Sequence, residues 1–136
     1  MARRVTAGSG VFLLDSDGLS KIASDDERAW AHLKRALEEQ SRVLAPAVIL
    51  AEVLRGGPRD ANVHRVLERV TVVDITAVIG RAAGEILGQV GGDKTVDAVV
   101  AAVAAAHPGR VGVLISDTGD IAALTEGRGD IRVIHV

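Results

Sequence analysis

Short unbroken apolar runs alternate along the chain with longer stretches in which apolar residues recur every three or four positions. Val11–Leu14, Arg42–Ala45, Thr71–Ile75, Val111–Ser116 and Ile131–Val136 read as short strands. A continuous apolar run of this length, bounded by turn residues, fits a strand covered on both faces. Between the strands the three-and-four spacing predicts helices. A brief one covers Ser16 to Ala23, and a second follows the capping-box pattern Ser24-Asp25-Asp26-Glu27 through Trp30, Leu33 and Leu37 to about Gln40. Pro46 suits the first turn of a helix through "AVILAEVLR", which Gly56-Gly57 stops. Further helices are predicted for Pro58 to Val70, from a Thr76 cap to Val90, from a Thr95 cap through "VDAVVAAVAAAH", and for Thr118 to Thr125. Strands alternating with helices predict one α/β domain over residues 10–136, a three-layer α/β/α sandwich around a mostly parallel sheet. Residues 1–9 are polar and read as a loose tail.

Composition narrows the chemistry. Among 136 residues, 48% are hydrophobic but only 1% aromatic, so the core is aliphatic and base stacking on aromatic side chains is nearly excluded. There is no cysteine, which excludes disulfides, iron–sulfur clusters and thiolate zinc sites. No apolar run reaches the roughly 20 residues of a membrane span, and a cytoplasmic protein with no membrane partner is expected. The net charge of −2 looks unfriendly to nucleic acid. If five acids gather at one cation, however, the other 13 face 16 Lys and Arg, and the remaining surface is slightly basic.

The acids fall where a parallel sheet binds ligands, beyond the carboxyl ends of its strands. "VFLL" runs into Asp15 and "VGVLI" into Ser116-Asp117. If these strands are neighbours, both carboxylates face one crevice; taken singly, each could equally be a helix cap. Glu52 sits in "AVILAEVL", where apolar neighbours on every side make a lone carboxylate costly unless it pairs with Arg55 or binds a cation. Asp97 falls in the first turn of a helix that is apolar all round, and Asp120 lies three residues after Asp117. Carboxylates without cysteine or histidine suit a hard cation, Mg²⁺ or Mn²⁺. His32, His64, His107 and His135 are scattered and read as solvated or structural.

Four segments, "FLLDSDGLSKI", "PAVILAEVLRG", "TVDAVVAAVAAAH" and "VLISDTGDIAAL", carry these acids in order, spaced 37, 45 and 20 residues apart. In this order they resemble the PIN-domain nucleases, the small VapC-type toxins in particular. The resemblance implies a PIN-like fold and metal-dependent endoribonuclease activity. It implies that Asp15, Glu52, Asp97 and Asp117 form the acidic quartet and that Asp120 is an additional metal-site acid. Ser116 matches the family's small hydroxyl residue before the fourth acid. It further implies a VapB-type antitoxin partner, an RNA substrate and a homodimer. Arg55, Arg59 and Lys94, with Ser116, are candidate contacts to RNA, and Lys21 lies close enough in sequence to join them. The chain departs from the family in the residues before its first strand and in Thr118-Gly119, which replaces a proline-containing turn.

Two other readings compete. "DSDG" also resembles the Asp-x-Asp-Gly opening of haloacid dehalogenase-type phosphatases, with Asp15 as nucleophile and Asp17 as general acid. That fold is normally longer and gives Glu52 no role. A non-catalytic PIN-fold interaction module is the other. If Asp15 holds a cation, Asp17 is left to cap the helix that begins near Ser16.

Overall fold

The computed structural model describes residues 10–116, 125 and 129–136. Five strands form one sheet: β1 (Val11–Leu14), β2 (Arg42–Pro46), β3 (Thr71–Val73), β4 (Val111–Ile115) and β5 (Ile131–His135). Every neighbouring pair is parallel and the order is β3-β2-β1-β4-β5. Among the described residues six helices connect or flank them: α1 (Ser16–Ala23), α2 (Glu27–Glu38), α3 (Ala47–Val53), α4 (Ala61–Leu67), α5 (Ala77–Val90) and α6 (Thr95–Ala106). A short 3₁₀ turn, Pro58–Asp60, precedes α4. No helix among the described residues is long and apolar enough to cross a membrane.

All four residues of β1 are buried. Successive side chains on a strand point to opposite faces, so both faces of the sheet are covered, as the unbroken apolar run predicts. β4 is likewise nearly all buried, while the edge strands β3 and β5 are partly exposed. Helix α6 bears out its all-apolar pattern: Ala98 to Ala104 are all buried, with α6 packed on α3, α5 and β2. Burying each of Val99, Val100 and Val103 there contributes about 1.5 kcal/mol or more.

Helix termini depart from expectation in instructive ways. Asp26, not Ser24, caps α2, its side chain accepting from Ala29 N–H; Ser24 instead ends α1. The chain turns through Asp25 at φ 63°, which separates the two helices and breaks the Ser24 box. Pro46 closes β2 and precedes the helix rather than entering it, because its ψ of 137° is extended. Helix α3 ends at Val53, short of Gly56-Gly57. Thr95 is the first residue of α6 and not its cap; Lys94 holds that position without a side-chain bond. Thr76 does cap α5, accepting from Ile79 N–H at 3.2 Å. The tail 1–9, Asp117, Asp120 and the helix expected from Thr118 lie outside the described residues, with Thr125 alone of that stretch described, buried in a turn.

Candidate functional site

β1 and β4 are neighbours, with Leu14 level with Leu114 and Asp15 N–H donating to the Leu114 carbonyl at 3.3 Å. Asp15 and Ser116 therefore leave the sheet side by side at its carboxyl rim. The strand order reverses direction at β1, where such sheets leave a crevice for ligands.

Asp15 is 8% exposed and serves as the N-cap of α1: its Oδ1 accepts from Gly18 N–H at 2.7 Å. This corrects the assignment of capping to Asp17, which is exposed in the first turn. Capping and ligation do not exclude each other, since one carboxylate oxygen is committed and the other remains. Burial pushes the Asp15 carboxyl up to about 7, against the opposing pull of the Gly18 N–H and with help from the charges of Asp17, Asp97 and Glu52. Gly18 makes the arrangement possible. A Cβ there would stand 2.5 Å from the Leu114 carbonyl oxygen and 3.2 Å from Asp15 Oδ1.

Glu52 is exposed, and only Ile49 of α3 is buried. The expectation of a carboxylate enclosed by apolar neighbours fails because α3 has only seven residues and rests one side on α1, α6 and β2. The Ser16 hydroxyl donates to Glu52 Oε1. Arg55 does not pair with Glu52; its Nη1 donates to the carbonyls of Ala51 and Leu54 at 3.0 and 2.8 Å. Asp97 is half-buried in the first turn of α6.

These acids come together. Asp15, Glu52 and Asp97, with Asp17, Ser16 and Ser20, line one open, polar pocket of about 340 Å³. Among the described residues no three acidic or histidine side chains converge on a single ion-sized point. The pocket's donor chemistry nevertheless fits a hard cation. Its side-chain donors are oxygens only, and three of its carboxylates come from three separate elements, close enough that their charges add to burial in raising Asp15. At the end of β4 the Ser116 Oγ is shielded from solvent and has no hydrogen-bond partner among the described residues.

Other predicted contacts are dispersed. Lys94 precedes Asp97 by three residues at the start of α6. Lys21 is spent elsewhere, donating to the Val136 carbonyl at 3.0 Å. Of the histidines, His32 is held below its ordinary value by burial and by Arg28, Arg132 and Arg35, and His107 Nδ1 lies 2.8 Å from the Val103 carbonyl. Sequence reasoning missed Ser16 and Asp60. Asp60 is buried and accepts from Arg55 N–H at 2.9 Å and Gly56 N–H at 2.7 Å. The Gly56 bond leads in holding its carboxyl below the usual range, against burial. A glycine pair followed by an acid three residues later is the signal that marked this clamp.

A fold and site of this kind define an α/β protein with a carboxylate cluster at the sheet's carboxyl rim. The chain belongs to the PIN domain family, whose model matches residues 12–119. That membership displaces the phosphatase alternative. Several solved structures share the fold, three of them as follows. VapBC2 from Rickettsia felis, bound to a DNA fragment from its promoter, is 14% identical with a TM-score of 0.73, over 93% of this chain and 98% of that one. A toxin–antitoxin complex from Klebsiella pneumoniae is 21% identical with a TM-score of 0.65, over 91% and 98%. FitAcB from Neisseria gonorrhoeae is 24% identical with a TM-score of 0.59, over 91% and 96%. No curated protein sequence matches the chain.

Proposed function

We propose that the chain is a metal-dependent endoribonuclease that hydrolyses RNA phosphodiester bonds and acts in the cytoplasm as a toxin, restrained by a small VapB-type antitoxin. The observation that carries this reading is the gathering of Asp15, Glu52 and Asp97 around one pocket at the strand ends of a PIN-family fold. Asp15 and Asp97, with Asp117, would hold one Mg²⁺ or Mn²⁺, and Glu52 and Asp120 would complete the site or bind a second ion. Such an ion supplies Lewis-acid activation of water and neutralises charge building on the phosphate.

The chain's own groups do the rest. Asp15 Oδ1 stays bound to Gly18 N–H, which fixes the carboxylate at the rim. Ser16 holds Glu52 from the opposite wall. Arg55, Arg59, Lys94 and Ser116 are the candidate contacts to RNA phosphates. The complexes formed by the Rickettsia and Klebsiella proteins support an antitoxin partner, and a homodimer belongs to the same reading.

Purified protein with Mn²⁺ should cut structured RNA, and Asp15→Asn should abolish cutting. Equal cleavage in EDTA overturns the metal requirement. A tight protein partner without any metal-dependent cleavage would make the chain a binding module instead.

A further inference from the structure

Next to the acidic pocket lies a second one of about 440 Å³, and the two share Ser20 and Val53 as a common wall. Its character is different. Arg55 and Arg59 stand on it, with Asn62 and the Ser24 edge of α1. Neither arginine forms an ion pair among the described residues. Arg55 is anchored through Nη1 to the end of α3, which leaves three of the five guanidinium N–H donors for another acceptor.

The segment between these arginines is clamped. The Asp60 carboxylate takes the N–H groups of both Arg55 and Gly56, and Gly56 adopts φ 89°, a conformation open to glycine. Asp60 N–H in turn donates to the Gly57 carbonyl at 3.0 Å. A buried carboxylate thus spends its charge on folding an exposed loop back on itself. The outcome is a fixed position for two guanidinium-bearing residues at the lip of the acidic pocket.

We infer that this second pocket is a phosphate subsite, in which Arg55 and Arg59 bind the RNA backbone one or two nucleotides away from the bond being cut, with Asp60 as the residue that positions them. The inference rests on the nuclease reading of the acidic pocket. The chemistry is complementary: carboxylates and a cation handle the scissile phosphate, and a polyanionic strand needs cationic contacts alongside to overcome their repulsion. Guanidinium forks suit phosphate oxygens, and Asn62 and Ser24 add neutral polar groups where a sugar would pass.

Binding and cleavage separate this inference from the reading it rests on. Fluorescence anisotropy with a labelled single-stranded oligoribonucleotide of random sequence, in EDTA, measures binding without turnover. Arg55→Ala/Arg59→Ala should weaken binding at least tenfold and lower the salt slope by one to two. Arg81→Ala, an exposed arginine on α5, should change neither. In Mn²⁺ the double variant should raise KM and leave kcat nearly unchanged. Asp60→Asn should raise KM severalfold with the same split, and Arg59→Lys should restore part of the loss. Unchanged affinity and KM in the double variant overturn the subsite, even if the protein cleaves RNA. If the wild type binds RNA through these arginines but never cuts it, the subsite stands and the nuclease reading falls. Both arginines are exposed, so their replacement tests the inference even if Asp60→Asn fails to fold.

Discussion

The hydroxyl of Ser16, first residue of α1, donates to the carboxylate of Glu52 on α3, and so ties two walls of the acidic pocket together. The bond fixes an exposed side chain that would otherwise sample several rotamers. Partners of this kind around a metal ligand are commonly worth about 10–100-fold in metal affinity. Ser16→Ala should therefore weaken Mn²⁺ binding about tenfold by calorimetry, while the melting temperature of the metal-free protein moves little. A large loss of stability with unchanged affinity would make the bond a structural tie only.

Asp15 gives the pocket a pH dependence. Its carboxyl stands at about 7 in the folded protein, against an ordinary value of 3.8. The folded state keeps a proton that the unfolded chain releases in that window. The stability this group contributes is therefore complete below about pH 3.8 and is lost as pH rises through 7. Asp15→Asn removes the titration and retains an oxygen for Gly18 N–H. The metal-free variant should be more stable than wild type by about 1–3 kcal/mol at pH 8, the gap narrowing toward pH 5. A lower stability at pH 8 would show that Asp15 is ionised at little cost.

If Asp15 is a metal ligand as proposed, protons and the cation compete for the same oxygens. Mn²⁺ affinity should climb with pH up to about 7 and then level. Millimolar Mn²⁺ should raise the wild-type melting temperature, EDTA should reverse the shift, and Asp15→Asn should show none. An affinity flat from pH 5.5 to 8 would remove Asp15 from the ligand set.

Gly18 is the point where α1 meets the sheet. Its missing side chain lets the helix come against the Leu114 carbonyl, and an added Cβ would stand 2.5 Å from that oxygen. Backbone has to move to admit a methyl group. Gly18→Ala should cost about 1–3 kcal/mol in urea denaturation, despite alanine's better helix propensity. It should also weaken metal binding, because the N–H that holds Asp15 moves with the residue. A stabilised variant would show that the approach is looser than the structure has it.

Much of this was legible in the chain because burial leaves a periodic trace. Val11–Leu14 and Val111–Ile115 announced doubly covered strands, and Asp15 could be placed at the rim from the strand it ends. Glu52 was singled out for the wrong reason: its apolar neighbours suggested enclosure, but a seven-residue helix packed on one side only leaves it exposed. Helix starts were blurred because several cap-capable residues stand together, and the turn at Asp25 decides between them. Ser16 and Asp60 escaped notice because their roles depend on what lies across a pocket or a loop. No periodicity encodes Ser16 reaching a carboxylate 36 positions away.

The placement of β1 between β2 and β4 has a consequence in time. Asp15 is made well before Leu114, so its seat against that carbonyl exists only once β4 has emerged. Until then Asp15 has no β4 beside it and Asp97 has no finished sheet beneath its helix. A product terminated before Val111 lacks β4 altogether. The acidic pocket is therefore among the last parts of this sheet's rim to be completed, whatever it binds.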